Sequence, residues 1–218
     1  LINSGALPAD TRLEDELSMA ARLHVSRPTA RQALQRLVDR GLLTRRRGVG
    51  TIVSPRHVHR PMELTSLMRD LVNAGHKVHT TIQRYEARPA NAQEADILKI
   101  TEGTLIVHIE RTRFANDEPI AVLTNFIPTD IAPTMQELES ASLYDLMRER
   151  GVTLASARQV IGARSATTKE AKLLSEHRGA ALLTTQRTTY DPSGRIVEYG
   201  DHIYRASRYS FEASLFAQ

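Results

Sequence analysis

The run Ser26-Arg27-Pro28-Thr29-Ala30-Arg31 constrains the fold of this 218-residue chain more than any other feature. Proline has no N–H and a fixed φ, so within a helix it suits only the first turn. Ser26, just ahead, supplies the hydroxyl that caps such a start. Ala30, Ala33, Leu34, Leu37 and Val38 then predict one apolar stripe running to about Arg40, where Gly41 ends the helix. A shorter helical pattern precedes it. Leu17, Ala20, Ala21 and Leu23 recur at helical spacing over residues 14–23, with acidic residues in the first turn, where the helix dipole favours them. His24-Val25 leaves only a tight turn between the two helices. After Gly41, Leu43-Thr44-Arg45-Arg46 and Thr51-Ile52-Val53 read as two strands around Arg47-Gly48-Val49-Gly50. Two helices and a basic hairpin make a winged helix-turn-helix over residues 1–53.

The chemistry of that arrangement is recognition of double-stranded DNA. A helix fits the major groove and its N-terminal residues meet base edges. Arg27 and Arg31 are four apart and project from one face, where each can fork onto a guanine edge or a phosphate. Ser26 and Thr29 add short hydroxyls, and the free N–H groups of the helix start can hold a phosphate. Arg45, Arg46 and Arg47 with Gly48 and Gly50 form a slim cationic wing. Charge supports the reading. Residues 1–60 carry 11 arginines against 5 carboxylates, a net +6, whereas residues 61–218 carry 18 Lys and Arg against 20 carboxylates, a net −2. A small helical domain with solvated arginines would account for the charge, but not for cap, spacing and hairpin together.

Other classes of function are excluded. With no cysteine there is no disulfide framework, thiolate metal site or cysteine nucleophile. No apolar stretch approaches the ~18–20 residues that span a bilayer, so a cytoplasmic protein with no membrane partner is expected. The chain opens at Leu1 without methionine and reads as one that has lost its first residues. His57, His59, His76 and His79 lack the carboxylate or cysteine partners of a metal site and read as polar histidines, so no metal and no cofactor is expected. Nucleotide-binding and hydrolase motifs are absent.

Residues 54–61, Ser54-Pro55-Arg56-His57-Val58-His59-Arg60-Pro61, are polar and proline-flanked and read as a linker. Beyond it, helical patterns at 64–74, 92–100, 143–150 and 169–176 alternate with strand patterns at 79–87, 105–115, 120–127, 155–163, 181–190 and 196–205. Turn sequences at Asn116-Asp117-Glu118 and Asp191-Pro192-Ser193-Gly194 join strand pairs as hairpins. The fold class is therefore α+β, with an antiparallel sheet in residues 62–218.

Within that second domain Arg111 and Arg113 lie two apart on one strand and share a face. Two adjacent guanidiniums repel, which is relieved when an anion or a protein carboxylate lies between them. Glu198 and Tyr204 share a face of a later strand, and Thr65-Ser66 opens a helix suited to an anion. A solvated arginine pair, a surface glutamate and an ordinary cap would account for each of these taken singly.

Two resemblances bear on these residues. Val25-Ser26-Arg27-Pro28-Thr29-Ala30-Arg31-Gln32-Ala33-Leu34, with Gly41-Leu42-Leu43 and Gly48-Val49-Gly50-Thr51, resembles the GntR family of bacterial transcription regulators. The resemblance implies operator contacts from Ser26, Arg27 and Arg31, with Gly48 at the wing. Leu17 stands where the family usually has a DNA-contacting arginine, so that contact is expected to be absent. Residues 62–218 resemble the UTRA effector domain of the HutC subfamily through Glu110-Arg111-Thr112-Arg113-Phe114, Ser142-Leu143-Tyr144-Asp145 and Val197-Glu198-Tyr199-Gly200-Asp201-His202-Ile203-Tyr204-Arg205. That implies a chorismate-lyase-like fold without lyase activity and a pocket for a small anionic metabolite, a phosphorylated sugar or a carboxylate. Ser66, Leu67, Met68, Arg111, Arg113, Ser142, Glu198 and Tyr204 would line it. Leu123 stands where amino-sugar-phosphate sensors of the family carry a glutamate. A polar ligand group facing it would lose roughly 1–3 kcal/mol. The implied function is a homodimeric repressor, not an enzyme, released from its operator by the effector. The other readings are a DNA-binding protein whose second domain only dimerises, and a lyase-like enzyme with a DNA-binding appendage.

Overall fold

Asp15 and Ser26 decide where the first two helices begin. In a computed structural model, which describes residues 7–8, 11–39, 42–46, 49–53, 58–61 and 63–213, the chain divides into two compact units, Leu1–His57 and Val58–Gln218. The first contains α1 (Glu16–Arg22), α2 (Arg27–Asp39), β1 (Leu43–Arg46) and β2 (Gly50–Val53). The Asp15 carboxylate accepts the N–H groups of Leu17 and Ser18 at 2.9 and 3.0 Å, capping α1. The helix stops at His24, whose φ of 52° is left-handed. There the N–H of Val25 returns to Ala20 O at 3.0 Å and that of His24 to Ala21 O at 3.3 Å, which satisfies the last carbonyls and turns the chain sharply. One residue on, Ser26 Oγ accepts the Thr29 N–H at 3.2 Å and starts α2.

β1 and β2 pair antiparallel, with Arg46 opposite Gly50. Residues 11–13 lie along β2, the Leu13 N–H bonding Thr51 O and the Val53 N–H bonding Thr11 O, both at 2.9 Å. Leu34, Leu43 and Val53 form the core, joined by Leu7, Leu13, Met19, Leu37 and Val38. The stripe expected on the first helix is narrower than its spacing suggests. Only Ala20 is buried, while Leu17 is 66% exposed and Leu23 also faces solvent. A seven-residue helix has two turns and can seat little more than one small side chain on its neighbour. Arg47 and Gly48 of the predicted wing lie outside the described residues, as does the side chain of Arg46.

The second unit runs β3 (Val58–Pro61), α3 (Leu67–Asn73), β4 (Val78–Pro89), α4 (Ala92–Leu98), β5 (Leu105–Ala115), β6 (Glu118–Pro128), α5 (Met135–Ser140), α6 (Leu143–Glu149), β7 (Ser156–Ser165), α7 (Thr168–Leu173), β8 (Ala181–Tyr190), β9 (Ile196–Arg205) and β10 (Tyr209–Glu212). Six strands form one antiparallel sheet in the order β4-β5-β6-β9-β8-β7. The β5–β6 hairpin turns on Asn116 and Asp117, both at positive φ (51° and 67°), as a two-residue turn between twisted strands requires. Helices cover both faces. Ile109, Ile127, Leu138, Tyr144 and Met147 bury α5 and α6 against one face, and Leu67 and Leu71 of α3 pack there with Leu123 and Tyr204. The opposite face seats α7 through Ala171 and Leu174 and α4 through Ala95 and Leu98.

Of the linker expected at residues 54–61, residues 54–57 lie outside the described residues. Val58–Pro61 is not a connector but a strand that pairs in parallel with Tyr209–Glu212, and Val58 is buried. Strand geometry tolerates a terminal proline at an edge, so Pro61 does not exclude it.

Three helices start with reciprocal capping boxes, Asn91 with Glu94, Thr134 with Glu137 and Thr167 with Glu170. In the last, Arg164 donates to both Glu170 oxygens at 2.6 and 2.7 Å. The Arg164 hydrogen bonds, foremost, hold the Glu170 carboxyl down at about 2 against its burial. Its stabilisation is present above the ordinary carboxylate range and is lost as pH falls toward 2. Glu170→Gln is expected to lower stability at pH 7 by about 1–2 kcal/mol. Urea unfolding should show that difference vanishing by pH 2.

Candidate functional site

The register of the sheet assembles the site in three rows on the face covered by α3 and α6. Arg113, Ala121 and Tyr204 form one row, Arg111, Leu123 and His202 the next, and Ile109, Asn125, Gly200 and Arg187 the third. Large and charged side chains thus stand beside small ones, which leaves a narrow cleft of about 40 Å³ between the strands and the helix starts. Thr65, Ser66, Leu67 and Met68 close it from α3, and Ser142, Leu143 and Tyr144 from α6.

All eight residues named for the effector pocket line this one cleft: Ser66, Leu67, Met68, Arg111, Arg113, Ser142, Glu198 and Tyr204. So do four that the sequence did not single out, Asn125, Tyr144, Arg187 and His202. On long strands Asn125, Arg187 and His202 look like ordinary polar alternation, and only the cross-strand register shows that they converge; Tyr144 reads as one more apolar position of α6.

The two arginines are buried and short of partners. Each is 2% exposed. Arg111 Nη2 donates to Asn125 Oδ1 and Arg113 Nη1 to Thr80 Oγ1, both at 2.6 Å. Among the described residues no carboxylate pairs with either of them, which one of the two alternatives read from the sequence required. Nε and Nη1 of Arg111, Nε of Arg113 and the Oγ of Ser142 are buried without a hydrogen-bond partner. Ser142 occupies the N-cap position of α6 yet makes no side-chain cap bond. Burial pushes the Arg111 guanidinium down to about 10, against the pull of Glu198. Burial and then the charge of Arg111 push Arg113 down to about 9. Buried, unpaired donors of this kind are rare in folded proteins, because each costs about 1–3 kcal/mol and charged ones cost more.

Glu198 is fully buried but well served. Its Oε1 accepts from Asn125 Nδ2 at 2.6 Å, and its Oε2 from Thr189 Oγ1 at 2.8 Å and the Tyr144 hydroxyl at 3.2 Å. Burial raises its carboxyl above the usual range, against those bonds and the charge of Arg187. Burial, then the Glu198 charge, pushes the Tyr144 phenol up to about 12, so it stays a neutral hydroxyl. Arg187 donates to Gln159 at 2.7 Å and to the Tyr144 oxygen at 3.4 Å. Among the described residues no group of histidines and carboxylates has metal-binding geometry.

The candidate DNA surface is simpler. Arg27 and Arg31 are exposed on the first turns of α2, and neither has an ion-pair partner among the described residues. Ser26 and Thr29 are engaged with each other through their hydroxyls at 2.8 Å. Leu17, where the resemblance implied a missing arginine contact, is exposed and apolar. Among the described residues no helix is long and apolar enough to cross a membrane.

Known proteins agree with both units. The profile described as bacterial regulatory proteins, gntR family, matches residues 1–53, and the UTRA domain profile matches residues 73–210. The HTH-type transcriptional repressor NagR of Bacillus subtilis is 34% identical over 96% of this chain and 88% of its own. The probable transcriptional regulator PhnF of Escherichia coli is 32% identical over 91% of this chain and 84% of its own. Among solved structures, PhnF from Mycobacterium smegmatis shares the fold over the whole of both chains, with a TM-score of 0.89 at 22% identity. A putative transcriptional regulator from Streptomyces coelicolor is 46% identical over 66% of this chain and 96% of its own, with a TM-score of 0.60. With a winged helix-turn-helix in one unit and a UTRA domain in the other, the chain belongs to the gntR family of bacterial regulatory proteins.

Proposed function

We propose that this regulator is a cytoplasmic transcriptional repressor that binds a pseudo-palindromic operator as a homodimer and lets it go when a small anion fills the cleft of its second unit. Arg27 and Arg31 read the operator with help from Ser26 and Thr29, and the wing at Arg46, Arg47 and Gly48 follows the backbone. Arg111, Arg113 and Ser142, with Ser66, Leu67 and Met68 at the start of α3, hold the effector's anionic group; Glu198 and Tyr204 shape the other end. One observation carries the reading: four buried donor atoms on three side chains face one cleft without partners. An anion is the group that satisfies such donors together. The relatives named as transcriptional repressors, NagR and the histidine utilization repressor of Klebsiella aerogenes, support the direction of control.

The effector acts by preferring a dimer geometry whose recognition helices no longer match two half-sites one helical turn apart. The experiment selects duplexes from a random pool with the purified protein and measures their affinity by fluorescence anisotropy. The expected result is a palindromic site whose affinity falls linearly with salt on a logarithmic scale and at least tenfold on adding millimolar inorganic phosphate at constant ionic strength. Phosphate that binds but leaves the affinity unchanged would make the second unit a dimerisation module only.

A further inference from the structure

The direction of every hydrogen bond along the β6–β9 wall of the cleft follows from one amide. Arg111 Nη2 can only donate, so the Asn125 atom it meets at 2.6 Å is the carboxamide oxygen. Asn125 Nδ2 therefore faces Glu198 Oε1 at 2.6 Å and His202 Nε2 at 3.2 Å. The reverse orientation would set NH₂ against a guanidinium and oxygen against a carboxylate. An amide nitrogen donates, so His202 Nε2 accepts and the ring proton sits on Nδ1. His202 Nδ1 lies 3.2 Å from the Tyr204 hydroxyl and donates to it. The Tyr204 oxygen is then occupied, and its own proton is left to point into the cleft that Tyr204 lines.

The side-chain acceptors of this wall are each already engaged by the protein. Glu198 takes three donors from Asn125, Thr189 and Tyr144, and the Asn125 oxygen takes Arg111. The backbone is shaped for the same arrangement. A Cβ at Gly200 would lie 2.5 Å from His202 Nε2 and 2.7 Å from Glu198 Oε1, so only glycine leaves room for both groups to meet Asn125. What remains on offer is mostly donors: Arg111 Nε and Nη1, Arg113 Nε and the Tyr204 proton, with the Ser142 hydroxyl able to donate or accept. Among the described lining residues, three guanidiniums stand against one carboxylate, an excess of positive charge.

We propose that the cleft selects a compact dianion that presents hydrogen-bond acceptors only, with Asn125 and His202 as the positioning residues that turn Tyr204 into a donor. This rests on the effector reading above and narrows it. A ligand ammonium in the cleft adds to the positive charge of the lining and meets the Ser142 hydroxyl as its one unpartnered acceptor among the described lining residues.

Two probes of nearly equal size test it, 2-methoxyethyl phosphate, whose far end only accepts, and 2-aminoethyl phosphate, whose far end only donates. Isothermal titration of the full chain at pH 8 is expected to show the methoxy ester binding at least tenfold tighter. In His202→Leu the Tyr204 oxygen becomes free to accept, and the preference should shrink below threefold while the methoxy ester still binds. Tyr204→Phe keeps the ring stack on Tyr209, 4.3 Å between centroids, and should weaken the methoxy ester at least fivefold. Equal or tighter binding of the amino ester overturns the selectivity but leaves the effector reading standing. A folded His202→Leu with undiminished preference, or Tyr204→Phe with undiminished affinity, overturns the relay. If neither ester nor inorganic phosphate binds at 10 mM, both readings fall.

Discussion

Arg113→Met should make the protein more stable and deaf to its effector. Arg113 is buried, its Nε has no partner, and its one hydrogen bond goes to Thr80 on a half-buried strand position. Burial and the neighbouring Arg111 charge both act against its ionised form. Replacing a buried charge by an apolar side chain of similar length is often stabilising by about 1–4 kcal/mol. No carboxylate is left behind unpaired here, because none pairs with Arg113. The melting temperature should rise by about 2–4 °C per kcal/mol for a domain of this size. Inorganic phosphate should bind at least about 100-fold more weakly, since a charge-assisted hydrogen bond and the Coulomb attraction of a buried cation are lost together. Thermal melting and isothermal titration on the same sample read both effects. A destabilised variant would reveal a counter-charge for Arg113, and unchanged phosphate affinity would remove it from the site.

Arg27→Ala should weaken binding to the selected operator by about 10–100-fold for each half-site, the size of one bidentate base or phosphate contact. The change spares the fold. Arg27 is the first residue of α2, is exposed, and is followed by the proline that sets the helix start; alanine is the better helix former. Arg178, exposed on the second unit, is the control, and its alanine variant should bind within twofold of the parent. The salt dependence separates the two roles of Arg27. A phosphate contact lowers the slope by about one per arginine removed, whereas a base contact relaxes sequence preference at one position. Equal losses in the two variants would remove α2 as the recognition helix.

The sheet strands were the most readable part of the chain. Leu105–Ala115, Ala181–Tyr190 and Ile196–Arg205 have the bounds expected from pattern, because each is long and ends at turn residues. Helix α5 was missed although Thr134 and Glu137 spell a capping box, since six residues carry too little periodicity to register. The four-residue strands β3 and β10 were missed for a related reason: Val58–Pro61 has one buried apolar side chain and a proline, and it pairs with a segment some 150 residues away. Within the site, Arg111 and Arg113 stood out because two cations interrupt an apolar strand. Asn125, Arg187 and His202 did not, because their convergence depends on which strands are neighbours in the sheet, and β6 pairs with β9 rather than with the next strand in sequence. Gly200 showed no sign of its role, since its need for space appears only when Glu198 and His202 fold over it.

The pairing of β3 with β10 also gives the second unit a load path. The chain enters it at Val58, whose N–H is fastened to Arg208 O at 2.7 Å. A pull or twist arriving along the backbone at that residue is borne first by Tyr209–Glu212. Tyr209 is stacked at 4.3 Å on Tyr204, a wall of the cleft. The unit's point of mechanical suspension and the cleft are thus one stacked ring pair apart.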